Sequence, residues 1–284
     1  PPIPSPPKAD EDRIPFKLSL KSAMGKVFSV SEYIEYLNAS FKEHGVRIVG
    51  EISELKIHSA SGHVYFTIKD KIGEAVLDAI LWRHTYRMYG IPLEPGMEVI
   101  LTGAGNIYPK SGRFSFVASS VELVGEGALK KAYDALKAVL EREGLFAPGR
   151  KRALPEFIRR IGVISSKDGA AIGDFTANLG RYGFEVLFMD SRVEGQSALV
   201  DLLAAARTMR KQAIDVLVVI RGGGSLESLQ AFNNEHFVRE VAGFPVPVIM
   251  GIGHERDVPL AALAADVMVS TPTAAAHRIN GSWD

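Results

Sequence analysis

The chain has 284 residues, 46% hydrophobic and 23% charged, enough to bury a substantial core in two domains. Lys plus Arg equals Asp plus Glu at 33 each, and neither residues 26–126 (10 basic, 12 acidic) nor residues 151–284 (14 basic, 15 acidic) form a basic module, so nucleic-acid contacts must be local. The absence of cysteine excludes disulfides, thiolate nucleophiles and cysteine-ligated zinc, and no apolar run approaches the roughly 18 residues of a membrane span, which makes the cytoplasm the expected compartment.

Residues 1–25 carry prolines and mixed charge without periodicity and are expected to be an extended leader. Ser29-Val30-Ser31-Glu32 is a helix-start signature, followed by apolar Tyr33, Ile34, Leu37 and Phe41 and a stop at His44-Gly45. The period then changes. Val46–Ile52, His63–Ile68, Ala75–Trp82, Met97–Thr102 and Phe114–Leu123 are predicted strands, broken by Ser61-Gly62, Gly73, Pro95-Gly96 and Ser111-Gly112. Five strands in this span fit a small oligonucleotide-binding (OB) barrel or another five-stranded barrel or sandwich. Tyr65, Phe66, Trp82, Tyr108 and Phe114 lie among Lys56, Lys69, Arg83, Lys110 and Arg113, a mixture suited to stacking bases while cations follow phosphates. Strand alternation requires some of these aromatics to be core, and Phe66 is assigned to the groove.

Gly127–Glu143 reads as an amphipathic helix ended by Gly144, with a linker at Pro148-Gly149-Arg150-Lys151-Arg152. Strand and helix then alternate. Apolar runs at Ile161–Ser165, Glu185–Met189, Val216–Ile220 and Val246–Ile252, separated by helical Ala170–Leu179, Ala198–Met209 and Leu226–Val241, predict a mainly parallel sheet covered on both faces. The fold class is therefore α/β: an OB barrel over residues 26–126, a connecting helix and linker over 127–153, and an α/β domain over 154–284.

Ligands of such sheets bind beyond the carboxyl ends of the strands. The loops there carry Ser165–Gly169 with Asp174 following, Ser191-Arg192, Arg221–Ser225, and Gly253-His254-Glu255-Arg256-Asp257. Gly222, Gly223, Gly224 and Ser225 make a turn whose amides can close on a phosphate, and Arg221 adds a planar cation; the same residues also suit a plain strand-to-helix turn. His254 is a natural proton shuttle or a strand-end histidine. Asp257 can assist it or cap the helix announced by Pro259, and Asp174 can act in chemistry or serve a helix start.

Gly50-Glu51-Ile52-Ser53, Ser61-Gly62-His63 and Tyr65–Asp70 resemble the amino-terminal domain of the exodeoxyribonuclease VII large subunit. Gly144–Phe146, Ile161–Ser166, Gly169–Ile172 with Asp174, Arg221–Glu227, Ala231–Asn233, Gly253–Glu255 with Asp257, and Thr271–Ala276 resemble the motifs of its catalytic domain, in order. This resemblance implies a nuclease that degrades single-stranded DNA to short oligonucleotides, with Asp174, Arg221, His254 and Asp257 catalytic. Lys56, His63, Phe66, Lys69, Trp82, Arg83 and Arg113 are then expected to meet the DNA. Arg221 and the 222–225 amides would hold the scissile phosphate and His254 would transfer a proton. Asp257 or Asp174 would orient it, activate water or ligate a divalent ion such as Mg²⁺; catalysis without metal is equally compatible with these residues.

Arg256 stands where the family usually has Thr, and Asp168 and Ser228 are also atypical. The resemblance further implies a small-subunit partner held by a long helical region, before which this sequence stops at Asp284. Two rival readings are a single-stranded-DNA-binding protein without catalysis and an NAD kinase-like phosphotransferase, the latter from Gly222–Ser225 and Ser270-Thr271-Pro272-Thr273.

Overall fold

The computed structural model describes residues 27–225, 227–252 and 258–283. Helix α1 (Val30–Glu43) opens with a reciprocal cap in which the Ser29 hydroxyl accepts from Glu32 N and the Glu32 carboxylate from Ser29 N. It is fastened to the barrel by Asn38, whose amide donates to Ile107 O at 2.9 Å and accepts from Ile107 N at 2.7 Å. Strands β1 (Val46–Ile57), β2 (Val64–Lys69), β3 (Val76–Leu81), β4 (Glu98–Ile107) and β5 (Phe114–Leu123) close into a barrel of order β1-β2-β3-β5-β4. Closure leaves no unpaired sheet edge.

Barrel curvature has a sequence cause. The pairing register slips at Ile52/Glu54 in β1 and at Thr102/Gly103 in β4, and such bulges bend the strand that carries them. At the second bulge the backbones press together: a Cβ on Gly103 would stand 2.1 Å from Val117 O. Inward positions alternate along β2 as Val64, Phe66 and Ile68, all buried, against exposed Tyr65 and Lys69. Phe66 is thus a correction. Only 4% exposed, it sits in phase with Val64 and Ile68 and packs in the barrel core, so it backs the wall of the surface groove while offering almost no ring area for stacking.

After the barrel, α3 (Glu126–Arg142) leads to a second sheet of β6 (Arg160–Ser165), β7 (Glu185–Asp190), β8 (Val216–Ile220), β9 (Val248–Gly251) and β10 (Val267–Val269), in the order β10-β9-β8-β6-β7. All four pairings are parallel. Helices α4 (Ala170–Asn178) and α8 (Pro272–Asn280) pack on one another beside the face carrying Val216, Val218 and Ile220, with Phe175, Ala275 and Ile279 in that core. The other face, with Leu217 and Val219, is covered by α5 (Ala198–Met209), α6 (Glu235–Ala242) and α7 (Leu260–Ala264). Every residue of β8 is buried, which explains its unbroken apolar run.

The expected helix over 226–241 is interrupted. A 3₁₀ turn covers Glu227–Asn233 and α6 begins anew at Glu235. Buried Asn234 takes an extended backbone, accepts from His236 N at 2.9 Å, and donates its amide to Met88 O and Tyr89 O, both at 2.9 Å. Those carbonyls end α2 (Arg83–Tyr89), a short helix beside the barrel that periodicity does not announce. The strand expected over 246–252 narrows to Val248–Gly251, and β10 and α8 add to the expected elements.

Barrel and sheet domain meet through further polar contacts. Gln230 exchanges two hydrogen bonds with the Leu123 backbone, Gln196 accepts from Thr102 Oγ1 at 2.6 Å, and His236 Nε2 lies 3.0 Å from Arg87 O. The expected linker is pinned as well. Lys151 Nζ donates to Leu263 O and Ala265 O, and Arg152 forms a salt bridge with Asp266 at 2.7 Å while donating to Phe244 O and Val246 O.

Replacing Leu217 by Ala removes a side chain buried between β8 and the α5–α7 layer; a loss of about 2–5 kcal/mol is expected in urea unfolding. For Asp266, burial raises the carboxyl pKa, but hydrogen bonds from the Arg152 side chain and from the Arg152 and Val248 amides outweigh it, and the net shift is downward. A depressed folded pKa gives stability that is present above the unfolded carboxylate value of about 4 and disappears as pH falls through the folded value. Asp266→Asn should therefore lower the unfolding free energy more at pH 7 than at pH 3.

Candidate functional site

Between β6 and β8 the chain reverses its winding direction, since β6 connects outward to β7 and the next strand, β8, pairs on the opposite side of β6. Crevices at such points, beyond the carboxyl ends of the strands, are where open α/β sheets bind ligands. The two strand ends are tied together there: the buried Ser165 hydroxyl donates to Ile220 O at 2.9 Å. Beyond Ser165 lies α4 with Asp174 on its second turn, and beyond Ile220 lie Arg221 and the glycine turn. Asp190, ending β7, accepts from Lys167 N at 3.0 Å and closes the loop between β6 and α4.

Arg221 is 4% exposed, an unusual position for a cation. The turn is shaped around its guanidinium. Nε donates to Gly222 O at 3.1 Å and Nη1 to Ser228 O at 2.6 Å, while Nη2 reaches Glu194 Oε2 at 3.2 Å, Ser228 Oγ at 3.2 Å and Gly223 O at 3.4 Å. Burial lowers the Arg221 pKa and the Glu194 charge partly offsets this, yet a guanidinium stays protonated under these conditions. Gly224 has no room for a side chain, because a Cβ would lie 2.3 Å from both Arg221 Nη2 and Ser228 Oγ. With the Gly222 and Gly223 carbonyls turned toward the cation, the exposed amides of residues 222–225 have no acceptor among the described residues.

Asp174 is exposed, with no side-chain partner among the described residues and no bond to Arg221. His254 and Asp257 lie outside the described residues. The strand leading to them, β9, runs beside β8 with Gly251 opposite Ile220, and Arg221 N donates to Gly251 O at 3.3 Å. No three His, Asp or Glu side chains among the described residues are grouped to hold a metal ion. Glu194, which grips Arg221, escapes the sequence reading because the loop after β7 draws attention only to Ser191-Arg192, and Ser228 is noted there only as atypical; the Arg192 side chain lies 3.7 Å from Asp201. Thr271-Pro272-Thr273 starts α8, with Thr271 Oγ1 accepting from Ala274 N at 3.0 Å.

A second concavity, a groove of about 580 Å³, runs over the barrel between Lys56, Tyr65, Trp82, Tyr108 and Arg113. Tyr65, Trp82 and Tyr108 are exposed large aromatics. Trp82 is braced by His63, whose ring meets it edge-on at 4.7 Å and whose Nδ1 accepts from Arg83 N at 3.2 Å. Arg113 is paired with Asp78, and this hydrogen bond, followed by that from Thr67, lowers the Asp78 carboxyl pKa. Lys69 bonds Glu51 at 2.9 Å and does not line the groove, and Arg83 lies against Gly62 just outside it. Phe114 packs edge-on against Phe41 of α1.

Comparison with known proteins agrees with this architecture. Residues 145–282 match the family model described as exonuclease VII, large subunit, and residues 26–122 that of an OB-fold nucleic acid binding domain. The chain is 37% identical over 278 residues to an exodeoxyribonuclease 7 large subunit of Rhodopirellula baltica, an alignment covering 95% of this chain and 62% of that protein. It is 41% identical to the Listeria innocua protein of that name, with 88% and 56% covered, and 43% identical to that of Erythrobacter litoralis, with 82% and 50% covered. It thus spans between half and two thirds of the length of these relatives. With its barrel and parallel sheet matched in sequence order, the chain belongs to the exonuclease VII large-subunit family.

Proposed function

We propose that this chain hydrolyses phosphodiester bonds of single-stranded DNA to short oligonucleotides, the barrel (26–126) holding the strand, residues 127–153 connecting, and the α/β domain (154–284) cutting it. The observation that carries this reading is the glycine turn wrapped around a buried Arg221 at the winding reversal, which leaves backbone N–H groups without acceptors among the described residues. Such groups, backed by a fixed cation, stabilise the charge that grows on phosphate oxygens as the linkage breaks. His254 transfers the proton, and Asp257 or Asp174 orients it or activates water. The groove supports single-strand recognition, because exposed aromatics stack unpaired bases whatever their identity and Lys56 and Arg113 meet phosphates. The names of the relatives support a small-subunit partner, and a cysteine-free chain suits the cytoplasm.

His254→Ala should reduce digestion of end-labelled single-stranded DNA by at least about 10²-fold while single-strand affinity stays within a factor of about two. Unchanged cleavage removes His254 from the mechanism, and a gel shift without cleavage by the wild-type chain, with or without EDTA, leaves only a binding protein. Trp82→Ala should weaken single-strand binding by about 1–3 kcal/mol and raise KM, leaving kcat nearly unchanged.

A further inference from the structure

Arg221 is held by two kinds of partner. Gly222, Gly223 and Ser228 belong to its own turn, so their dipoles are fixed by the backbone that carries them. Glu194 comes from a different loop, the one between β7 and α5, and is the sole charged partner of Arg221 among the described residues. The exposures within this ion pair are lopsided: the Arg221 side chain is 3% exposed and the Glu194 side chain 66%. The carboxylate therefore lies on the solvent side of a cation that is otherwise enclosed.

That asymmetry has an electrostatic consequence. A buried cation needs a counter-charge, and with Glu194 removed the guanidinium keeps only neutral dipoles. An arriving phosphate brings its own negative charge to the same side, where a carboxylate beside it is a like charge at close range. Two anions compete for one cation, and Glu194, on an exposed arm, is the one free to leave. Its loop is meanwhile anchored on the barrel side, since Gln196 accepts from Thr102 Oγ1 and its carbonyl from Tyr89 OH at 3.3 Å. Glu194 can thus swing aside without the loop moving.

We propose that Glu194 is a displaceable counter-ion that fills the anion position at Arg221 until a phosphate group replaces it. The inference rests on the nuclease reading for its biological meaning but not for its test. Inorganic phosphate is titrated calorimetrically at low ionic strength into the wild-type chain, Glu194→Gln, Glu194→Ala, Arg221→Lys and the double variant Glu194→Gln/Arg221→Lys, each checked for an unaltered melting transition. A sixth protein, Glu235→Gln, neutralises a carboxylate that pairs with Arg239 instead. Both Glu194 variants are expected to bind phosphate about tenfold more tightly than wild type, with Glu235→Gln unchanged and the gain reduced when Arg221 is Lys. Equal or weaker binding by the Glu194 variants overturns the proposal, as does the same gain in Glu235→Gln or an undiminished gain in the double variant. A parallel digestion assay separates the two readings: absence of cleavage by the wild-type chain sinks the nuclease assignment, while the phosphate titration still decides the role of Glu194.

Discussion

A charge taken out of water must be given partners, and around Arg221 that requirement organises the rim of the second domain. β8 is buried on both faces and delivers Arg221 into the interior at its last step, so the following residues have to fold back and offer oxygens. At residue 224 the turn comes so close that only glycine fits, since a methyl group there would collide with the guanidinium and the Ser228 hydroxyl. Once the carbonyls have turned inward, the amides of the same peptides are released for another use. The unengaged amides of the turn are therefore a by-product of solvating a cation with backbone.

The second constraint is how the barrel is held to that rim. The junction uses Gln230, Asn234 and Gln196, each meeting a backbone or hydroxyl group of the barrel or its short helix. A primary amide offers donor and acceptor side by side, matching a peptide N–H and C=O, and it fixes orientation as well as contact. Asn234 does this at the cost of a continuous helix. Its extended backbone breaks the segment in two, and the broken turn carries Ser228, which grips Arg221. One residue thus links the placement of the barrel to the shape of the glycine turn.

Much of this was legible in the chain, and the failures have physical reasons. β5, β8 and α5 match their expected bounds because turn residues or charges flank them and their apolar patterns are unambiguous. The position of the glycine turn beyond β8 followed from the unbroken apolar run that empties into it. Phe66 was misplaced by attention to residue type, although the alternation of Val64, Phe66 and Ile68 already carried the answer. The break at Asn234 was invisible because apolar periodicity continues across it and its partners lie more than a hundred positions away, in α2. Glu194 was hidden for the same reason. Nothing local marks a carboxylate whose significance lies in the strand across the sheet.

The junction described above is built without ion pairs between Gln196, Gln230 or Asn234 and their partners, whereas any grip on DNA by Lys56 or Arg113 is ionic. Counter-ions screen the second kind of contact and leave the first almost untouched. Concentrated electrolyte should accordingly strip a bound strand from the protein while the two modules keep their mutual pose. A strand held by such cations would leave without loosening the amide contacts that join barrel to sheet.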